Sequence, residues 1–96
     1  MSDYNSRIIR KYLKIRGFVQ GVGFRYRTEH AANRVGATGW VRNDPDGEVS
    51  MEIQGTEEQI DTVIQMVEQG TYVEIQGIEA KTLPPVEEER GFRVRS

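Results

Sequence analysis

The sequence predicts an α+β sandwich in which two helices cover one face of a mostly antiparallel sheet. Three observations predict it. Apolar residues alternate between strand-like and helix-like spacing in the order β-α-β-β-α-β, each helical stretch carries a single apolar stripe, and a short β-rich segment closes the chain. A helix with one stripe has one surface to bury, so both helices must share the inner face of the sheet.

The elements follow in order. Residues 1–6 read as a disordered polar lead-in, and 7–96 as one domain. Ile9, Leu13, Ile15 and Val19 share one parity while Lys14 and Arg16 take the other, which reads as a strand. It stops at the Gly21/Gly23 turn. Phe24, Thr28, Ala31, Ala32 and Val35 then recur at helical spacing, from about Gly23 to Val35, with Gly36 as a left-handed C-cap. Thr38 to Arg42 is a short strand with Trp40 read as core. Asn43-Asp44-Pro45-Asp46-Gly47 is dense in turn formers and reads as a hairpin loop. Val49, Met51 and Ile53 alternate with polar residues as a half-buried strand.

Thr56-Glu57-Glu58-Gln59 is a capping box opening a second helix, whose apolar face is Ile60, Val63, Ile64 and Val67. Gly70 is expected just past its end. The next β-rich stretch changes phase at Gly77, which places the strand mainly at Ile75–Leu83. Pro84-Pro85 and Glu87-Glu88-Glu89 read as an exposed loop, and Gly91 to Arg95 as a last short strand. Right-handed crossovers give these elements the ferredoxin-like arrangement.

Composition narrows the chemistry. The 96 residues include no cysteine and one histidine, so disulfides, thiolate nucleophiles and multi-histidine metal sites are excluded. No apolar run approaches the ~20 residues of a membrane span, and no signal peptide precedes the first strand, so a cytoplasmic protein is expected. The net charge of −2 hides a split. Arg7, Arg10, Lys11, Lys14, Arg16, Arg25, Arg27, Arg34 and Arg42 stand against Glu29 alone in the first part, whereas acids dominate from Asn43 onward. Such a split is either a difference between solvated faces or a local positive field that draws in a small anion. The acidic total argues against nucleic acid as a partner.

Two segments carry chemistry. Gly17-Phe18-Val19-Gln20-Gly21-Val22-Gly23-Phe24-Arg25 runs a strand through a glycine-rich turn into a helix. Unpaired N–H groups at a helix start form an anion cradle, and Arg25 adds a planar fork of donors suited to phosphate. A plain strand-to-helix turn with a surface arginine is the competing reading. Neither a Walker loop nor a dinucleotide fingerprint fits, because no Lys-Ser/Thr pair and no third glycine follow. Asn43, ending Gly39-Trp40-Val41-Arg42-Asn43, either bonds its own backbone in an Asx-turn or holds a water beside the cradle. His30 is turned away from the loop. Asp44 and Asp46 read as turn formers beside Pro45 and Gly47.

Taken together, Gly17-x-Val19-Gln20-Gly21-Val22-x-Phe24-Arg25 and Gly39-Trp40-Val41-Arg42-Asn43-x-x-x-Gly47-x-Val49-x-x-x-x-x-Gly55 resemble the two signatures of the acylphosphatase family at the family's separation. The resemblance covers about Ile9 to Val94. It implies hydrolysis of small-molecule acyl phosphates to a carboxylate and inorganic phosphate, with no metal or organic cofactor. By position, Arg25 binds phosphate, the backbone of Gln20, Gly21, Val22, Gly23 and Phe24 completes the cradle, and Asn43 orients the attacking water. A free-standing monomer is expected. The chain departs from the family pattern at Gly70-Thr71-Tyr72-Val73, which bears on the start of the fourth strand. The alternative class is a non-catalytic phosphate-binding regulatory module of the same fold.

Overall fold

The computed structural model describes residues 7–96, and the lead-in expected over residues 1–6 lies outside them. The elements are β1 (Ile9–Phe18), α1 (Phe24–Val35), β2 (Thr38–Asn43), β3 (Val49–Gly55), α2 (Glu57–Glu68), β4 (Glu74–Leu83) and β5 (Phe92–Arg95). The sheet runs β4-β1-β3-β2-β5. Its pairs are antiparallel except the edge pair β2–β5, which is parallel. This is the expected ferredoxin-like arrangement, with β5 added at the edge.

Register decides which residues meet the helices. Leu13 pairs Met51, Met51 pairs Val41 and Val41 pairs Val94, so one cross-strand row is apolar. Phe24, Thr28, Ala31 and Ala32 of α1 and Ile60, Val63 and Val67 of α2 are buried on the helix side of this core. Burying each of the larger side chains contributes about 1.5–3 kcal/mol, and together they fix both helices on one face. The capping box forms as expected: Gln59 N–H donates to Thr56 Oγ1 at 3.1 Å and Thr56 N–H to Gln59 Oε1 at 2.8 Å. The same Gln59 donates from Nε2 to the carbonyl of Val35 at 2.8 Å, tying α2's start to α1's end.

Close strand approach explains the glycine that heads each signature. Gly17 and Gly39 sit at φ 139° and 138°, and a Cβ on either would overlap a carbonyl oxygen of the adjacent strand, Glu74 and Glu52 respectively. Gly39→Ala is therefore expected to destabilise the fold by about 2–4 kcal/mol, read from urea unfolding midpoints. A loss below about 1 kcal/mol would contradict this packing.

Three expectations need correction. Trp40 is half-buried rather than core. Gly39 and Val41 take the helix-facing side of β2, so strand alternation turns Trp40 to the outer face. There the guanidinium carbons of Arg95 and Arg42 lie 4.7 and 5.4 Å from its ring centroid. Strand β4 starts at Glu74, one residue early, and the phase change at Gly77 is a register shift opposite Arg16/Gly17. Helix α2 ends at Glu68 with Gln69 as its C-cap, so Gly70 does stand just past its end, and a left-handed residue follows at Tyr72 (φ 68°). Glu89 is also drawn out of the exposed loop, because Arg10 donates to its carboxylate at 2.8 and 3.1 Å while also bonding Glu52 at 2.8 Å.

Candidate active site

The loop between β1 and α1 hangs from two buried anchors, Val19 and Phe24. Between them Gly21 and Gly23 both adopt φ 76°, the left-handed region that glycine enters without strain. Gly23 is the N-cap of α1. It has no side chain to cap the helix, and no acidic residue stands in the first turn. The first-turn N–H groups thus keep their donor capacity and the positive end of the helix dipole faces the loop. Arg25 is the second helical residue, half-buried, with its guanidinium 5.8 Å from the Tyr26 ring centroid.

The loop is bound to the β2–β3 hairpin through a side chain. Gln20 Nε2 donates to the carbonyls of Asp44 (2.8 Å) and Glu48 (2.9 Å). These carbonyls also accept within the hairpin, from Gly47 N–H at 3.1 Å and Asp44 N–H at 2.8 Å. Asn43 is the residue immediately before this knot and the last residue of β2, paired with Val49. Its Oδ1 is buried and accepts no hydrogen bond. The Asx-turn reading therefore fails for Asn43: the turn bond falls to Asp46, whose Oδ1 accepts from Glu48 N–H at 2.9 Å. A buried carbonyl oxygen without a donor is costly in a finished fold and is common where a site awaits a ligand.

Arg25 reaches the same end of the sheet. Its Nη1 donates to the carbonyl of Arg95 at 3.5 Å. Arg95 pairs with Arg42 in the β2–β5 ladder, one residue before Asn43. Strand β5 is itself pinned to α1 by Asn33, which donates to the Phe92 carbonyl at 3.0 Å and accepts from Phe92 N–H at 2.8 Å. The structure thus gathers Gln20 and Asn43 around one hairpin, and brings Arg25 to the adjoining edge. His30 is exposed on α1, and rather than turning away from the loop it lines one groove with Val22 and Gly23.

Asp44 is more than a turn former. Its carboxylate is buried and accepts from Lys14 Nζ (2.7 Å), Arg42 Nε (3.2 Å) and, in a short bond, Ser50 Oγ. Lys14, Ser50 and Arg42 are consecutive members of one cross-strand row, so Asp44 clamps three strands just behind Asn43. Burial alone would raise its carboxyl pKa, but the bonds from Lys14, Ser50 and Arg42 hold it below the ordinary carboxylate range. Asp46, bonded by Glu48 N–H and by Lys14, is also held low. A depressed carboxyl stabilises the fold above its unfolded value of about 4 and loses that contribution as pH falls through its folded value. Thermal stability is expected to drop on acidification below about pH 4, and to drop less steeply in Asp44→Asn. Calorimetry from about pH 6 to 2 reads this, and parallel acid limbs would contradict it.

The side-chain roles of Gln20 and Asp44 escape sequence reading, because their partners lie on other strands. The alternation of Lys14, Arg42 and Ser50 onto one sheet face was the available signal.

The comparisons with known proteins span nearly the whole chain. The family model described as Acylphosphatase matches residues 11–94. A protein of Bifidobacterium longum named Acylphosphatase is 37% identical over 93 residues, covering 95% of this chain and 96% of its own. Another so named, from Rhizobium etli, is 39% identical over 95 residues, covering 98% of each. Among solved structures, that of acylphosphatase from Bacillus subtilis superposes with a TM-score of 0.83 at 27% identity, over 92% of this chain and 99% of that one.

Proposed function

Since the chain belongs to the acylphosphatase family and is an enzyme that hydrolyses acyl phosphates, we propose that Arg25, the Gln20–Phe24 backbone and Asn43 perform that reaction, without a metal or organic cofactor. The observation that carries the assignment is Asn43 Oδ1, buried and without a donor beside the hairpin to which the cradle is tied.

An acyl phosphate is a mixed anhydride with a good carboxylate leaving group, so little acid assistance is needed to expel it. The protein's share is position and charge. The loop N–H groups of Gln20 to Phe24 and the Arg25 guanidinium hold the phosphoryl oxygens. Asn43 Oδ1 accepts a hydrogen from the attacking water and aims its oxygen at phosphorus. As the new P–O bond forms, the bond from phosphorus to the acyl oxygen breaks, the carboxylate leaves with that electron pair, and the water's proton passes to a phosphoryl oxygen. Amide and guanidinium donors supply the positive charge that a metal ion would otherwise bring. Among the described residues no group of three or more His, Asp or Glu stands together as a metal-ligand set.

A small-molecule acyl phosphate is the substrate class of the family to which the chain belongs. The net charge of −2 disfavours nucleic acid as a partner. No described helix is long and apolar enough to cross a membrane. We place the enzyme in the cytoplasm as a monomer. The named relatives give the non-catalytic alternative no support.

Phosphate release from benzoyl phosphate in excess EDTA tests the assignment. Turnover is expected to be unchanged by the chelator. Loss of activity in EDTA, restored by a divalent ion, would overturn the metal-free mechanism.

A further inference from the structure

Asn43 Oδ1 has no hydrogen-bond partner among the described residues, so its direction follows from the backbone that carries it. Asn43 ends β2, and the next residue, Asp44, is held at every polar group. Its carboxylate takes Lys14 of β1 (2.7 Å), Arg42 of β2 (3.2 Å) and Ser50 of β3. Its N–H donates to the Glu48 carbonyl at 2.8 Å, and its own carbonyl accepts from Gly47 N–H at 3.1 Å and from Gln20 Nε2 at 2.8 Å. The Gln20 amide also donates to the Glu48 carbonyl at 2.9 Å. Among the described residues, these two bonds from Gln20 are the only hydrogen bonds between the cradle loop, residues 19–23, and the hairpin, residues 44–48.

The two halves of the site therefore stand on different elements and meet through one amide. Phosphorus belongs to the loop after β1, and the water to the end of β2. A shift of about 1 Å between reacting groups can cost on the order of 10²-fold in rate. Asp44 opposes that shift by locking the end of β2 to three strands, and Gln20 by locking the loop to that end. Neither side chain is free for chemistry. Both hydrogens of Gln20 Nε2 are taken by carbonyls, which leaves no donor for a phosphoryl oxygen. The Asp44 carboxylate is buried and neutralised by Lys14 and Arg42, so it adds little repulsion toward an anionic substrate. We propose that the side chains of Gln20 and Asp44 are positioning groups that act through Asn43, setting its distance and angle to the phosphoryl group. The inference rests on the roles given to Asn43 and the cradle.

The test places Gln20→Ala and Asp44→Ala each in the parent and in the Asn43→Ala background, with kcat, KM and the phosphate inhibition constant measured on benzoyl phosphate. In the parent each substitution is expected to lower kcat by about 10- to 100-fold, with KM and the inhibition constant within about threefold. In the Asn43→Ala background each is expected to change kcat by less than about twofold, because no aimed water is left to misplace. Asp44→Asn keeps an oxygen for Ser50 and Arg42, and is expected to return kcat to within about fivefold of the parent. Partial unfolding lowers the rate by the same factor in both backgrounds. Equal losses in the two backgrounds would thus mark the side chains as structural and overturn the inference. So would a loss below about threefold from either alanine variant in the parent, or an Asp44→Asn enzyme no faster than Asp44→Ala. An Asn43→Ala enzyme with parent activity would overturn the catalytic assignment and this inference with it.

Discussion

Arg25→Ala is expected to lower kcat/KM for benzoyl phosphate by about 10³-fold or more and to remove competitive inhibition by inorganic phosphate. The size follows from where the residue stands. Its guanidinium extends from the first turn of α1, at the positive end of the helix, and Nη1 lies 3.5 Å from the Arg95 carbonyl, with no carboxylate salt-bridged to it among the described residues. Charge on the phosphoryl oxygens therefore meets an arginine whose donors are not neutralised by an acid. Arg25→Lys keeps the charge and loses the planar fork, so it is expected to recover only a small part of the loss. Initial rates and a phosphate inhibition series read both effects. An Arg25→Ala enzyme within tenfold of the parent would contradict the assignment.

Asn43→Ala is expected to separate turnover from binding. Its kcat should fall on the order of 10²–10³-fold, the cost typical of removing one aimed polar group from a reacting centre. KM and the inhibition constant for phosphate should stay within about twofold, because the phosphoryl group is held by the cradle and Arg25. The buried Oδ1 carries this expectation: it accepts nothing inside the protein, so its removal breaks no fold bond. A change in stability comparable to Gly39→Ala, or a matching loss of phosphate binding, would mark Asn43 as structural.

Much of the fold was legible because its signals are local. Parity along Leu13 and Ile15, the helical spacing from Phe24 to Val35, the glycine C-cap at Gly36 and the Thr56–Gln59 capping box each lie within a few residues of one another. The chain's two signature segments were legible for the same reason. What stayed hidden depends on register. Trp40 was read as core because large aromatic residues usually are, yet alternation beside Gly39 and Val41 sends it outward, where Arg42 and Arg95 cover it. The parallel placement of β5 against β2 needed partners far along the chain, and with it the contact of Arg25 to Arg95 spans 70 positions.

The site shows the same division. Asn43 and Arg25 stand out in the sequence by their neighbours. Gln20 was legible only as backbone, while its amide is what ties cradle to hairpin. Asp44 looked like one more turn residue before Pro45, and its bonds to Lys14, Ser50 and Arg42 appear only once three strands are aligned.

The central claim is that water, aimed by Asn43, attacks phosphorus held in a metal-free cradle. Hydrolysis of benzoyl phosphate in ¹⁸O-water with excess EDTA tests it most directly, with both products analysed by mass spectrometry. The label is expected in inorganic phosphate and absent from benzoate, with the parent turning over at its full rate. Label in benzoate would mean attack at the carbonyl carbon, and would contradict the roles given to Arg25 and Asn43.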